Sequence, residues 1–103
     1  MNYDRAVLLY GSHARGDADE ISDVDVLVVG STSPKTDEIT TLLPASCEGP
    51  LHTSHYTWLE FGAMSEYGSL FLHHIAAEAR AILYEGGAQK RLGNILASLG
   101  PYR

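Results

Sequence analysis

The sequence is short of cysteine, of positive charge and of long apolar runs, and each shortage removes a class of protein. Cys47 is the only cysteine, so no disulfide framework can form and a cysteine-rich metal site is impossible. Seven Lys and Arg stand against thirteen Asp and Glu, a formal net charge of -6. Without a basic field, counterion release on a phosphate backbone cannot be the main activity. Backbone amides and bound cations can still handle phosphates locally. No stretch reaches the roughly 18 apolar residues of a membrane span. The opening MNYDRAVLLYG holds only a brief apolar run with no cationic lead, unlike a secretory signal. A soluble, cytoplasmic protein is expected.

What is present suits a globular chain. Of 103 residues, 45% are apolar and 19% charged, which separates the chain from disordered sequences. At this length folding hides roughly two-thirds of the unfolded surface, enough for one thin core. No repeat, low-complexity tract or linker interrupts it, so a single domain over 1–103 is expected.

The local pattern alternates strands and helices. Arg5 to Tyr10 is a short apolar run closed by Gly11, too short for a helix and read as a buried strand. Ser12 to Arg15 makes about one helical turn, ended by Gly16, and 17–20 is an acidic loop. Asp23 to Val29, rich in β-branched residues and stopped by Gly30, is a second strand. Pro34 suits the first position of a helix that runs to about Leu43, where Pro44 halts it. Leu51 to Tyr56 alternates as a third strand, and Thr57-Trp58-Leu59-Glu60 fits a capping box opening a helix. Ser65 is expected to cap the next helix, with Tyr67, Leu70, Phe71, His74 and Ile75 as its apolar stripe. Ala81 to Tyr84 reads as a last strand before Gly86-Gly87. Leu92, Ile95, Leu96 and Leu99 line a final helix stopped at Gly100-Pro101. The expected architecture is α+β, a small mixed sheet backed by helices.

One constellation carries chemistry: Gly11-Ser12, ten intervening residues, then Asp23-Val24-Asp25. Glycine permits a turn closed to other residues, and the amides after it, with the Ser12 hydroxyl, can grip phosphate oxygens. Asp23 and Asp25 alternate onto one strand face, with Cα atoms roughly 6–7 Å apart. Two like charges on one face ask for a cation, and Mg²⁺ takes oxygen ligands while keeping water and substrate phosphates in its shell. Each piece alone is commonplace, the first as a turn and the second as a solvated strand edge. Their order is the signal.

Gly11-Ser12-His13-Ala14-Arg15-Gly16 followed by Ser22-Asp23-Val24-Asp25-Val26-Leu27-Val28 closely resembles the signature of nucleotidyltransferases related to DNA polymerase β. Within that superfamily it is most similar to the minimal nucleotidyltransferases, short domains often paired in bacteria with a HEPN-domain toxin. The likeness is dense over residues 5–30 and looser over 69–85. It implies the polymerase β palm-like fold and Mg²⁺-dependent transfer of a nucleoside monophosphate, AMP from ATP, to an acceptor hydroxyl. By the same likeness Gly11 and Ser12 hold the β/γ-phosphates, Asp23 and Asp25 hold Mg²⁺, and the acceptor is a tyrosine of a HEPN toxin, which makes this chain the antitoxin. Arg15 is placed either on the triphosphate or in a salt bridge to the 17–20 loop. Whether the chain forms oligomers stays open.

The pattern breaks at one position. Active members carry a third carboxylate on the next strand, and Leu51-His52-Thr53-Ser54-His55-Tyr56 has none. His52 takes the equivalent position, with Ser54 two residues on along the same face; Glu48 precedes the strand and Glu60 follows it. Three readings stand: His52 acts as a neutral base, Glu48 swings in, or the second metal site is lost. The last makes the chain a nucleotide- or partner-binding module. Of the other histidines, His13 is expected in solvent and His74 in the core or an interface. His73 and His74, adjacent on a helix, cannot chelate one ion together. Tyr56, Trp58, Tyr67 and Phe71 are expected to be chiefly core.

Overall fold

A computed structural model describes residues 4–19, 22–32, 35–45 and 47–101. Its elements in order are β1 (Ala6–Tyr10), α1 (Ser12–Arg15), β2 (Val24–Val29), α2 (Thr36–Leu42), β3 (Leu51–Tyr56), α3 (Trp58–Glu66), α4 (Leu70–Glu78), β4 (Arg80–Tyr84) and α5 (Ala88–Ala97). The strands form one mixed sheet in the order β3-β2-β1-β4. β1 is antiparallel to β2 and β4, and β2 is parallel to β3, a pairing that needs a crossover, here α2. The fold is α+β, as the sequence implies.

Apart from Asp25, the two central strands are apolar runs because both sheet faces are covered. One face packs Ala6, Leu8, Leu27 and Val29 against Phe61, Leu72, Ile75, Ala88 and Leu92 from the three C-terminal helices. The other packs Val7, Leu9, Val24, Val26 and Val28 against Ala14 and Ile39. The edge strands β3 and β4 carry no fully buried residue, which accounts for their mixed composition. No helix of the described residues is long and apolar enough to cross a membrane.

Local signals act as expected in three places. Thr57 caps α3 in a reciprocal box with Glu60; the backbone N–H of Thr57 bonds the Glu60 carboxylate and holds its pKa below the ordinary value. Leu43, ahead of Pro44, is extended at ψ 145° and ends α2, since proline excludes the helical region from the residue before it. Gly16, at φ 85°, closes α1. The predicted helix start at Pro34 lies outside the described residues; α2 opens at Thr36, with Asp37 and Glu38 in its first turn, where the helix dipole favours negative charge.

The next helix starts elsewhere than its sequence suggests. Ser65 does not cap it; it is buried in α3, and its hydroxyl donates to the Ile95 carbonyl at 2.9 Å. The break comes at Gly68, φ 71°, where Gly68 N–H bonds Ser65 O and Ser69 N–H bonds Met64 O, the two bonds of a Schellman stop. α4 therefore starts later, after Ser69, and its apolar stripe is rotated. Leu72 and Ile75 are buried, whereas Tyr67 and Leu70 are 64% and 48% exposed. His74 is exposed too, and its neighbour His73 makes the interior contact, with Nε2 2.8 Å from the Gly100 carbonyl. Tyr67 is thus no core residue, while Tyr56, Trp58 and Phe71 pack against the core.

Candidate functional site

The site begins at the end of β1. Gly11 adopts φ 76° and ψ −155°, a region closed to other residues. A Cβ there would also lie 2.5 Å from Asp25 Oδ2. Glycine is therefore required twice, for backbone shape and for room. Its carbonyl accepts the Ala14 and Arg15 N–H groups, both at 3.1 Å, and the chain turns straight into α1. Ser12 follows, half-buried, at the head of that single turn.

Asp25 is the second residue of β2, in register between Tyr10 of β1 and His52 of β3. Its carboxylate is 28% exposed, and His52 Nδ1 lies 3.4 Å from Oδ1. Asp23 is exposed just before β2. The approach to β3 runs close over this entrance, since Val24 N–H bonds the Pro50 carbonyl at 2.8 Å and a Cβ on Gly49 would strike Ser22 O at 2.4 Å. His52 and Ser54 share the Asp25 face through the period-2 pleat. The parallel register sets His52, 65% exposed at its side chain, directly beside Asp25. That is where the sequence pattern would have put a third carboxylate.

Beneath Asp25 lies a partly buried floor. The Tyr10 hydroxyl sits 3.3 Å from Ser54 Oγ, and the Tyr10 ring meets Phe71 edge-on at 5.4 Å. Burial raises the Tyr10 pKa above its ordinary value, opposed by the Ser54 hydrogen bond and aided by the Asp25 charge. Tyr10 thus stays a neutral phenol at physiological pH.

Arg15 has two partners. Its Nε bonds Asp17 at 3.2 Å, the loop bridge weighed from sequence, and its Nη1 bonds Glu78 at 2.9 Å. Glu78, chiefly, and then Asp17 raise the Arg15 pKa. Glu78 also accepts the Gly11 N–H at 3.3 Å through its other oxygen. Sequence reasoning passed over Glu78, sixty-seven residues from Gly11. The available signal was topological: a strand following α4 and returning beside β1 brings the end of α4 to the end of β1. His13 also departs from expectation; it is half-buried, with Nε2 3.3 Å from the Ser22 carbonyl.

Asp23 and Asp25 supply oxygen donors of the kind Mg²⁺ prefers, an ion that usually keeps water and phosphate in its shell. Among the described residues no group of three or more His, Cys, Asp or Glu side chains is placed to hold a metal ion. A cation here would therefore draw only part of its shell from the protein. Glu60 is committed to the cap of α3, and Glu48 is exposed ahead of β3.

Comparisons with known proteins bear on this geometry. The family described as nucleotidyltransferase domain matches residues 1–63, a span that takes in Gly11, Asp23, Asp25 and His52. No curated protein matches the chain. A solved structure described as a toxin-antitoxin with AMP-PNP superposes with a TM-score of 0.55 at 10% identity, covering 94% of this chain and 74% of that one. At that identity the likeness is one of fold.

Proposed function

The chain belongs to the nucleotidyltransferase domain family, and from that premise we propose that it transfers AMP from Mg²⁺-bound ATP to a protein hydroxyl. The observation that carries the reading is the seating of Gly11 directly on Asp25, which sets the turn after β1 against the acidic mouth of β2. Gly11 and Ser12 hold the β/γ-phosphates, Arg15 reaches the triphosphate, and Asp23 and Asp25 hold the cation. When bound, Mg²⁺ neutralises triphosphate charge and aligns the attacking and leaving oxygens. The acceptor oxygen bonds to the α-phosphorus, the bond to the β-phosphate oxygen breaks, and pyrophosphate leaves. His52, with Nδ1 3.4 Å from Asp25 Oδ1, accepts the acceptor's proton. Positioning and charge account for most of such a reaction.

The acceptor we favour is a tyrosine of a HEPN-type toxin, with this chain as a cytoplasmic antitoxin acting through one domain. An acidic chain is poorly suited to nucleic acid as acceptor. The toxin-antitoxin fold neighbour supports a protein partner. Label from α-labelled ATP should pass to the co-expressed partner and be lost when Asp23 and Asp25 are both alanine. Full transfer by that double variant rejects the mechanism.

A second reading follows from His52 itself: with imidazole where active relatives of the resembled pattern carry a carboxylate, the domain binds nucleotide or partner without turnover. Replacing His52→Asp separates the two. A large gain in transfer marks the native chain as a degenerate enzyme, whereas brisk turnover by the wild type eliminates the binding-only reading.

A further inference from the structure

We infer that Glu78 is a displaceable plug, an internal anion that holds the triphosphate's contacts until nucleotide drives it out. The inference rests on the nucleotide reading above and adds to it a competitor supplied by the chain itself. Glu78 Oε1 accepts the Gly11 N–H at 3.3 Å and Oε2 accepts from Arg15 Nη1 at 2.9 Å. Both donors are ones that reading assigns to phosphate or its immediate surroundings. The carboxylate is 16% exposed, so it spans them from within the protein rather than from solvent.

Its position is otherwise an unfavourable one. Glu78 is the last residue of α4, whose final turn holds no basic residue, and a helix C-terminus repels negative charge. The helix gains nothing from a carboxylate there, so the favourable contacts are those to Gly11 and Arg15. A triphosphate entering the same donors meets a like charge at close range in a partly desolvated place. Either Glu78 withdraws or the nucleotide binds weakly. Because the side chain ends α4, it can leave by rotating about its own bonds while β4 and β1 stay paired.

A neutral isostere removes the charge and keeps the volume. Calorimetric titration of Mg²⁺·AMP-PNP should give about tenfold tighter binding for Glu78→Gln than for wild type, about 1.4 kcal/mol. Equal or weaker binding by folded Glu78→Gln, with wild type binding, overturns the plug and leaves the nucleotide reading standing. Absence of binding to both proteins defeats the nucleotide reading, and the plug with it. Wild type supplies a second readout that needs no variant. With carbon-13 in the glutamate carboxyls, the Glu78 resonance should move as Mg²⁺·AMP-PNP saturates the protein. A resonance unmoved at saturation means the contact persists, which also overturns the proposal.

Discussion

Replacing Gly11→Ala tests the construction of the site at its tightest point. Two costs act together. At φ 76° and ψ −155° an alanine backbone is strained by about 1–3 kcal/mol. The new methyl would stand 2.5 Å from Asp25 Oδ2, a clash that costs a further ~1–3 kcal/mol as side chain or backbone shifts. Against these, alanine restricts the unfolded chain and returns about 0.4–1 kcal/mol. The net loss is about 2–5 kcal/mol. For a domain of this size it should lower the Tm by roughly 4–8 °C per kcal/mol. Gly16 is the internal control, since it also has positive φ, 85°, but a Cβ there meets nothing within 4 Å. Gly16→Ala should therefore carry strain alone, about 1–2 kcal/mol before the unfolded-state offset. Urea denaturation of Gly11→Ala, Asp25→Ala and the double variant completes the test. Removing the Asp25 carboxylate makes room for the methyl, so the double variant should be more stable than the sum of the single effects by about 1–2 kcal/mol. Strict additivity, or equal losses for Gly11→Ala and Gly16→Ala, would refute the claim that Asp25 occupies the space glycine leaves.

The two groups with the clearest remaining perturbations give pH-dependent outcomes. Thr57→Ala should destabilise α3 by about 1 kcal/mol, read by thermal melting. Glu60, whose folded pKa is lowered by the Thr57 N–H, stabilises the fold above its ordinary pKa near 4.3. That contribution should disappear as pH falls through the lower folded value, and a Thr57→Ala/Glu60→Gln variant should lack this component of acid sensitivity. Tyr10, raised mainly by burial, should ionise later than a free tyrosine side chain in an ultraviolet titration. Because its folded pKa is the higher one, Tyr10 reduces stability only as pH climbs past about 10, where the unfolded chain releases the proton first. A Tyr10→Phe variant that keeps the full alkaline loss would remove Tyr10 as its source.

Sequence sufficed where a local rule acts alone. The apolar runs closed by Gly11 and Gly30 declared the two central strands, and the Thr57–Glu60 box and Pro44 marked helix limits through contacts within a few residues. Gly11 was legible as a turn because glycine opens backbone angles barred to other residues, whereas the strand expected from Asp23 begins one residue later, at Val24, and leaves Asp23 just outside it. The Gly68 stop was present in the sequence but lost to Ser65, a better-looking cap whose hydroxyl is taken by Ile95 of a distant helix. The stripe of α4 was then counted from the wrong start, which placed Tyr67 and His74 inside and left His73 out.

Tertiary structure alone decided three things. Parallel pairing of β2 with β3 fixed how near His52 comes to Asp25, with Nδ1 3.4 Å from Oδ1. Antiparallel return of β4 along β1 carried the end of α4 to Gly11 and gave Arg15 its second anion. Close approach of Asp25 made glycine obligatory at position 11 for space as well as for backbone angle. The physical reason is common to all three: propensity, caps and periodicity act over one or two turns of chain, whereas register and charge pairing bring together groups that the sequence holds far apart.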